Sequence, residues 1–266
     1  MNRDELEGRI ARFLHWDYRF EFDNGAATPL LDRRMVNRQE QRRRYFLDAL
    51  LRLFGGSLRG QRVLDLGCGA GFWSLHAMDA GADFVLGVDA ERTHIEQASL
   101  VFEAKGIDPA RYRFEHANFF ECDLSAPFDV VLCLAVMHQV SKPVELFELM
   151  TGLGPEIIVV ETELSRVASS FFEVSTPRKP VDHRIALIPT REAMMELAGE
   201  FGYNTVPLAR NITDYTGMED YRRQRRLAFF CSKSRSLDAL PVEEPWVTPW
   251  WLAPLDPRRG LRRLRG

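Results

Sequence analysis

Three glycines and two carboxylates in the segment 63–90 are the residues of this sequence best suited to hold a ligand. Gly67, Gly69 and Gly71 follow an apolar strand, Asp65 stands just ahead of them, and Asp89 ends a second apolar strand. Glycines let the backbone turn sharply and let a ligand approach the main chain, and parallel sheets bind ligands where their strands end. The pattern predicts a nucleotide-like ligand at this turn.

The charge of Asp65 separates two classes of such ligand. A dinucleotide such as NAD places a pyrophosphate at the turn, where a carboxylate repels it. Phe72 also stands where the dinucleotide fingerprint has its third glycine. S-adenosylmethionine has no phosphate and carries an ammonium group that Asp65 attracts, while Asp89 is placed to accept both hydrogen bonds of a ribose diol. The residues favour S-adenosylmethionine; the alternative is that they serve only packing and local turn bonding.

Alternating strands and helices must position these residues. From Gln61 onward the predicted strands are RVLDL, FVLGVD, YRFEHA, FDVVLCLAV and EIIVVETE, with helices over about 72–80, 93–105, 143–150 and 190–201. Apolar strands separated by helices indicate a parallel sheet covered on both faces. The last two apolar runs, YNTVPLA and RLAFFCSK, are expected to pair as an antiparallel edge. The fold class is α/β with a doubly wound, mostly parallel sheet.

The sequence divides into three predicted parts. Residues 1–57 form an N-terminal helical cap, with helices over 3–14 and 34–54 that the glycines at 55 and 56 end. Residues 58–233 form the ligand-binding domain, with a lid inserted at about 165–189. Residues 234–266 form a tail rich in Pro, Trp and Arg.

The composition excludes several classes of protein. Hydrophobic residues make up 45% and charged residues 27% of the chain, which is ordinary for a globular protein. The net charge of −3 does not indicate a nucleic-acid partner for the chain as a whole. No apolar run reaches the roughly 20 residues that span a bilayer. The N-terminus lacks the apolar core of a signal peptide. The four scattered cysteines predict neither a metal site nor a disulfide framework, and the expected location is the cytoplasm.

A family resemblance adds to this interpretation. DLGCGAG followed by VDA, and then FDVVLCLAVMH, resemble a class I S-adenosylmethionine-dependent methyltransferase over about residues 58–233. The resemblance implies a seven-stranded sheet whose last strand is antiparallel. It implies that Asp65, Gly67 and Gly69 contact the methionine part of the cofactor and that Asp89 contacts the ribose. The full set of implied cofactor-binding residues is Asp65, Gly67, Gly69, Gly71, Asp89, Ala90, Asn118, Phe119 and Leu134.

Two departures from the family pattern accompany this resemblance. Asn118 stands where the family often has an acidic residue for the adenine amine, with Phe119 flanking the ring. The stretches LAVMHQVSKPVELFELM and IALIPTREAMMELAGEFGYNTV are similar to a narrower subgroup, in which a Tyr often occupies the position of Met137. That subgroup includes tRNA wobble-uridine carboxymethyltransferase-like proteins and small-molecule methyltransferases, so it leaves the substrate open.

Three residues are candidates for the catalytic side of the site. His138 follows the fourth strand and is a candidate general base; the alternative is a positioning hydrogen bond. Glu161 ends the fifth strand and either orients the substrate, acts as a base for carbon methylation, or pairs with an arginine. Tyr18, in the aromatic stretch that begins at His15, either lines the substrate pocket or belongs to a hydrophobic staple that fixes the cap.

The sequence therefore predicts a methyltransferase with a small organic acceptor, a specialised metabolite, and methylation at oxygen. The alternatives are a tRNA-modifying methyltransferase, a C-methyltransferase acting on a small substrate, and a non-catalytic cofactor-binding protein. Arginine clusters at 42–44, 222–226 and 258–265 are either solvated faces or binding sites for RNA or a phosphorylated substrate. The oligomeric state stays open.

Overall fold

The computed structural model describes residues 1–29, 32–167, 169–175 and 185–244. Its strands are β1 Arg62–Leu66, β2 Phe84–Asp89, β3 Tyr112–His116, β4 Val130–Leu134, β5 Ile157–Glu163, β6 Phe172–Ser175, β7 Ala186–Pro189, β8 Asn204–Pro207 and β9 Arg226–Ser232. Its α-helices are α1 Arg3–Ile10, α2 Arg33–Arg42, α3 Asp48–Leu53, α4 Phe72–Asp79, α5 Arg92–Ala104, α6 Pro143–Gly152, α7 Arg191–Glu200 and α8 Glu219–Arg222.

Seven strands form one sheet in the order β3-β2-β1-β4-β5-β9-β8. Strands β1 to β5 pair in parallel, and β9 runs antiparallel to both β5 and β8. The predicted fold class and the antiparallel pairing of the last two apolar runs are therefore confirmed. Chain order reverses between β1 and β4, and this reversal opens a crevice at the carboxyl ends of those strands.

Alternating side chains of the central strands build a core on each face of the sheet. Val63, Val130 and Val159 face the cap, α4 and α5. Leu64 and Val131, each one residue along, face α6 and α7 on the other side. A strand turns successive side chains to opposite faces, so strands made wholly of apolar residues are buried on both.

The N-terminal cap shares the core of the sheet. Trp16 and Phe20 are almost completely buried and belong to the same apolar cluster as Val63 of β1. Helix α1 ends at Ile10, so the predicted end at residue 14 was wrong. The Ile10 carbonyl accepts hydrogen bonds from the Phe13 amide and from Nε1 of Trp16, because the chain turns there to bury the indole ring.

The predicted single helix over 34–54 is interrupted. Residues Arg43–Leu47 form a π-helix between α2 and α3. Within it Tyr45 and Phe46 are both buried, and the Tyr45 hydroxyl donates to the Leu208 carbonyl at 2.7 Å. The wider turn accommodates two adjacent large aromatic side chains against the sheet.

Strands β6 and β7 form an antiparallel hairpin within the predicted lid at 165–189. The Leu187 amide donates to the Val140 carbonyl, which ties the hairpin to the loop after β4. Residues 168 and 176–184 of the predicted lid lie outside the described residues. Past β9, Leu237 and Leu240 are buried. Among the described residues, no helix has the length and apolar character to cross a membrane.

Candidate active site

The glycine turn between β1 and α4 has a backbone conformation that residues with side chains rarely adopt. Gly67 and Gly69 have φ of 68° and 54°, in the left-handed region. A Cβ on Gly67 would lie 2.6 Å from Cγ2 of Val136, in the loop after β4. The turn therefore needs glycine for its conformation and, at Gly67, for the close approach of a neighbouring loop. Gly71, with φ of 78°, starts α4.

Asp65 is buried beneath this turn with one oxygen free. Its Oδ2 accepts a hydrogen bond from the Ser74 hydroxyl at 2.7 Å, while its Oδ1 has no partner among the described residues. Burial raises the pKa of Asp65 to about 7, against the lowering effect of the Ser74 hydrogen bonds. A buried acceptor without a donor is costly, so this oxygen suits a cationic donor brought by a ligand.

Asp89 ends β2 and is bonded to the turn itself. The Gly69 amide donates to its Oδ2 and the Glu91 amide to its Oδ1, both at 2.9 Å. The pKa of Asp89 is lowered: burial opposes this, but the hydrogen bonds from His94, Glu91 and Gly69 outweigh it. Asp89 is therefore an ionised acceptor at neutral pH, held in place by the glycine turn.

The residues predicted to surround an adenine lie beyond β2 and β3. Ala90 is exposed, and its carbonyl lies 3.1 Å from Nε2 of His116. The side-chain oxygen of Asn118 accepts from the Phe120 amide, so it is engaged in a local turn. Phe119 is half-buried. The structure brings these residues to the same edge as Asp89, and their contacts with a cofactor stay a prediction.

Tyr18 is the cap residue whose ring lies next to the glycine turn. Its ring stacks on Phe72 with a centroid separation of 4.6 Å and an interplanar angle of 7°. The position of a Cβ on Gly69 is 4.0 Å from the same ring. Tyr18 is only half-buried, unlike Trp16 and Phe20 beside it. The aromatic stretch therefore has two parts: two residues fix the cap in the core, and Tyr18 faces the turn.

Glu161, at the carboxyl end of β5, is fully buried and paired with arginine. Nη2 of Arg42 and Nη1 of Arg226 each lie 3.1 Å from its Oε2, and the Tyr221 hydroxyl donates to its Oε1. Burial acts to raise its pKa, but Arg226 and Arg42 hold the pKa of Glu161 at about 2. The arginine-pairing alternative considered for Glu161 is the arrangement found.

Glu161 is the centre of a larger buried network that sequence reasoning missed. Arg38 of α2 makes a two-bond contact with Asp220, and Arg226 also donates to Asp220 and to Glu163. The network, which we call the Glu161 cluster, joins the cap, β5 and β9; its charged members are Arg38, Arg42, Arg226, Glu161, Glu163 and Asp220. Three positive and three negative charges balance within it.

His138 lies against the Glu161 cluster in a short turn after β4. The Glu163 amide donates toward its Nδ1 at 3.3 Å, and Nη2 of Arg226 lies 3.4 Å from its Nε2. Burial and the neighbouring Arg226 lower the pKa of His138 to about 3. The imidazole is therefore neutral at physiological pH, with a protein donor near each nitrogen, and it is a weak base.

The loop before His138 carries a strained backbone. Leu134 is buried at the end of β4, and the next residue, Ala135, has φ of 66°. The Ala135 amide donates to the Glu161 carbonyl at 2.8 Å, which holds this conformation. Strain at a non-glycine residue concentrates at functional sites, and here it directs the loop with Val136 against Gly67. No sequence pattern marks Ala135.

The β1–β2 end of the crevice fits S-adenosylmethionine. The Asp65 oxygen that has no partner among the described residues is an acceptor for an ammonium group, and the turn beside it carries glycine at 67 and 69. Asp89 supplies an ionised acceptor for hydroxyl groups. Among the described residues no group of three or more His, Cys, Asp or Glu is placed to hold a metal ion.

Comparison with known proteins agrees with this fit. Residues 57–187 match the family model described as "Methyltransferase domain". A tRNA U34 carboxymethyltransferase of Colwellia psychrerythraea is 26% identical over 169 residues, which are 62% of this chain and 51% of that protein. A mitochondrial ubiquinone biosynthesis O-methyltransferase of Schizosaccharomyces pombe is 33% identical over 108 residues, 40% of this chain and 39% of that protein. The aligned region thus spans about half or less of these relatives.

Solved structures share the fold. The N-terminal domain of EvdMO1 with SAH bound has a TM-score of 0.65 at 16% identity and covers 87% of this chain and 97% of that one. Magnesium protoporphyrin IX methyltransferase of Synechocystis with bound SAH has a TM-score of 0.57 at 15% identity and covers 87% and 98%. At these identities the likeness establishes the fold.

Proposed function

Because residues 57–187 match the family model described as "Methyltransferase domain" and the fold is shared with a solved methyltransferase, we propose that this chain is a class I S-adenosylmethionine-dependent methyltransferase that transfers a methyl group to an oxygen of a small organic acceptor, a specialised metabolite. S-adenosylmethionine is the cofactor. When bound, it supplies a methyl group on a positively charged sulfur, so the protein needs mainly to align the acceptor and exclude water.

The β1–β2 end of the crevice is the proposed cofactor site. Asp65 would hold the ammonium group, the turn at Gly67 and Gly69 would pass beside the methionine part, and Asp89 would hold the ribose. The adenine would lie beside Ala90, Asn118 and Phe119, with Leu134 and Gly71 lining the same crevice. The buried oxygen of Asp65 without a partner among the described residues, and the lowered pKa of Asp89, support these roles.

The balanced charge of the Glu161 cluster is the observation that carries the acceptor assignment. Arg42 and Arg226 are buried at the β4–β5 end of the crevice, and together with Arg38 they are matched in charge by Glu161, Glu163 and Asp220. A matched network offers no net positive charge to an anionic group. The arrangement supports a neutral or weakly acidic small acceptor and a plain methyl group.

The need to remove a proton from the acceptor narrows the kind of hydroxyl group that fits. A hydroxyl loses its proton on methylation, and a base near neutral pKa is the efficient acceptor of that proton. Within the described residues of this end, the pKa is about 3 for His138 and about 2 for Glu161, so both are weak bases. An acidic hydroxyl, such as a phenol or enol, therefore fits best, because it is partly ionised in water. We assign His138 and Glu161 positioning roles, with Tyr18 closing the site from the cap.

A second candidate function is methylation of tRNA, and one surface feature favours it. Arg222, Arg223 and Arg225 are exposed, and none has an ion pair within the described part of the chain. They flank Arg226 at the start of β9, so the positive charge lies close to the site's rim. Exposed arginines contact phosphates without sequence readout. The tRNA U34 carboxymethyltransferase among the relatives agrees with this alternative.

A methyl-transfer assay with isotopically labelled S-adenosylmethionine separates the two. The acceptors are a panel of small phenols, enols and sugars in one arm and unmodified tRNA transcripts in the other. Sugars are included because a related structure was determined in the presence of SAH and D-fucose. We expect labelled product from a small hydroxylated acceptor, with the label on oxygen by mass spectrometry. Label incorporated only into tRNA, or onto carbon, would overturn the proposal.

A further inference from the structure

His94 connects the predicted ribose acceptor to the cap. Its Nδ1 lies 3.1 Å from Oδ1 of Asp89, and its Nε2 lies 3.7 Å from Oδ2 of Asp17 in the cap. A groove of about 830 Å³ runs beside it between residues 9–17 and helix α5. His94 thus stands between β2 and the cap, and the β1–β2 site as assigned above gives it no role.

The hydrogen bonds that Asp89 already accepts leave it too few acceptor positions for a ribose diol. A carboxylate offers about four acceptor positions. The Gly69 amide occupies one on Oδ2, and the Glu91 amide and His94 occupy both on Oδ1. Two hydroxyls need two acceptor positions, and one remains. Full engagement of the diol requires one of the three donors to withdraw, and a side chain moves more readily than two backbone amides.

We propose that His94 is a positioning residue for the cofactor: it competes with the ribose for Oδ1 of Asp89 and, once displaced, remains tied to the cap through Asp17. The inference rests on the proposed placement of the ribose at Asp89. Cap position and ribose binding are then coupled through one imidazole ring. A cofactor without a free diol would leave His94 on Asp89.

Protonation of His94 makes this competition depend on pH, in a direction that binding measurements can check. The charged groups that face the ring are Asp89 from β2, Glu91 at the start of α5 and Asp17 from the cap, all carboxylates. The hydrogen bond to Asp89, with these charges, raises the pKa of His94 above its ordinary value. Displacement of His94 from Asp89 removes the hydrogen bond that contributes most to this raised pKa. Binding of a diol therefore releases a proton from His94. Affinity must therefore rise with pH until the ring is neutral in the free protein.

Calorimetric titration with 5′-methylthioadenosine and with its 2′-deoxy analogue tests the inference on the intact chain. Neither nucleoside has the ammonium group that Asp65 would meet, so the titration of Asp65 contributes little. We expect the dissociation constant of 5′-methylthioadenosine to fall with rising pH, by at most about tenfold per pH unit for one linked proton. The 2′-deoxy analogue should show a flat profile.

Two variants separate His94 from its surroundings. His94→Asn should remove the pH dependence and bind 5′-methylthioadenosine more tightly than the wild type, with the largest difference at low pH. His15→Asn is the matched control, since His15 contacts Asp17 at 2.8 Å from the same groove but does not reach Asp89 in the described contacts. It should keep the wild-type slope.

The outcomes distinguish two failures. An equal slope for the diol and the 2′-deoxy analogue, or an unchanged slope in His94→Asn, would overturn the role of His94 while leaving the cofactor site intact. If neither nucleoside nor S-adenosylhomocysteine binds at any pH, the proposed ribose site and this inference both fail.

Discussion

The two ends of the crevice are built in opposite ways. At the β1–β2 end, Asp65 and Asp89 come from one βαβ unit, and Asp65 keeps an oxygen that has no partner in the described part of the chain. At the β4–β5 end, Glu161 is saturated by residues far away in sequence: Arg42 is 119 residues before it and Tyr221 is 60 after it. The first end retains a buried acceptor oxygen that the described residues leave unpaired, and the acceptor oxygens of the second are bonded by its own side chains.

This difference separates two kinds of acidic residue that look alike in a sequence. Both Asp65 and Glu161 are buried carboxylates at or near the end of a central strand. Burial without a positive partner raises the pKa of Asp65, whereas two arginines lower that of Glu161. The Asp65 carboxyl group has no positive partner among the described residues. The Glu161 carboxylate is paired with arginines, and these ion pairs join the cap to the sheet.

The largest effect is expected when the β4–β5 end loses its central charge. Glu161→Gln leaves Arg42 and Arg226 buried without their shared carboxylate. Breaking a buried ion pair from one side costs about 3–5 kcal/mol. We expect the free energy of unfolding, measured by urea titration, to fall by that amount.

Glu163→Gln is the matched control for this experiment. Glu163 also contacts Arg226, but its side chain is 44% exposed, so its loss should cost less than about 1 kcal/mol. The stabilisation by Glu161 should be complete above the ordinary carboxyl pKa of 4.5 and be lost as pH falls through about 2. Equal destabilisation by the two variants would show that the Glu161 cluster does not hold the cap.

The second largest effect concerns Asp89. Asp89→Ala removes the proposed ribose acceptor and should weaken binding of S-adenosylhomocysteine by about 1–3 kcal/mol, or about 5- to 150-fold. Isothermal calorimetry measures it. Asp83→Asn, at the opposite end of β2, is the control and should leave affinity unchanged. Wild-type affinity in a folded Asp89→Ala protein would place the ribose elsewhere.

A smaller, pH-dependent effect is expected from Asp65. An ammonium group favours the carboxylate form, and the pKa of Asp65 in the free protein is about 7. Affinity for S-adenosylhomocysteine should therefore increase up to about tenfold per pH unit as pH rises toward that value and then level off. Asp65→Asn should bind more weakly and keep only the part of the pH dependence that His94 contributes. Identical pH profiles for the variant and the wild type would show that the ammonium group does not bind at Asp65.

The smallest effect is expected at His138. With acceptor and cofactor saturating, the maximal rate should show no inflection that belongs to His138 between about pH 6 and pH 8, because its pKa is about 3. Rate measurements on the wild type and on His138→Ala across this range test the point. An inflection near the ordinary imidazole value of 6.5 that disappears in the variant would restore the general-base role.

The sequence predicts where the residues of the β1–β2 end lie, because its determinants are local; their contacts with a cofactor stay a prediction. Gly67, Gly69 and the two aspartates stand in one short segment whose strand–turn–helix pattern already positions them. The β4–β5 end needs tertiary contacts: nothing in the run of arginines at 42–44 marks Arg42 as buried and its neighbours as partly exposed. Sequence patterns fix which residues end strands; they do not reveal which distant charges meet there.

The cap shows the same limit at the level of helices. Apolar spacing predicts a helix across 34–54, and the chain is helical there, but spacing alone does not show the π-helix at Arg43–Leu47. Likewise the bond of Trp16 to the Ile10 carbonyl, which helps to end α1, depends on the folded cap and has no signal in the sequence.

The π-helix has a consequence for changes in chain length. A π turn holds about one residue more than an α turn, and each helical residue advances the azimuth by about 100°. Removing one residue from Arg43–Leu47 would convert it to an α turn and rotate α2 about its axis relative to α3. Arg38 and Arg42 would then point away from Asp220 and Glu161 although every one of these residues was still present. Homologues that lack the extra residue should therefore anchor their caps by different contacts.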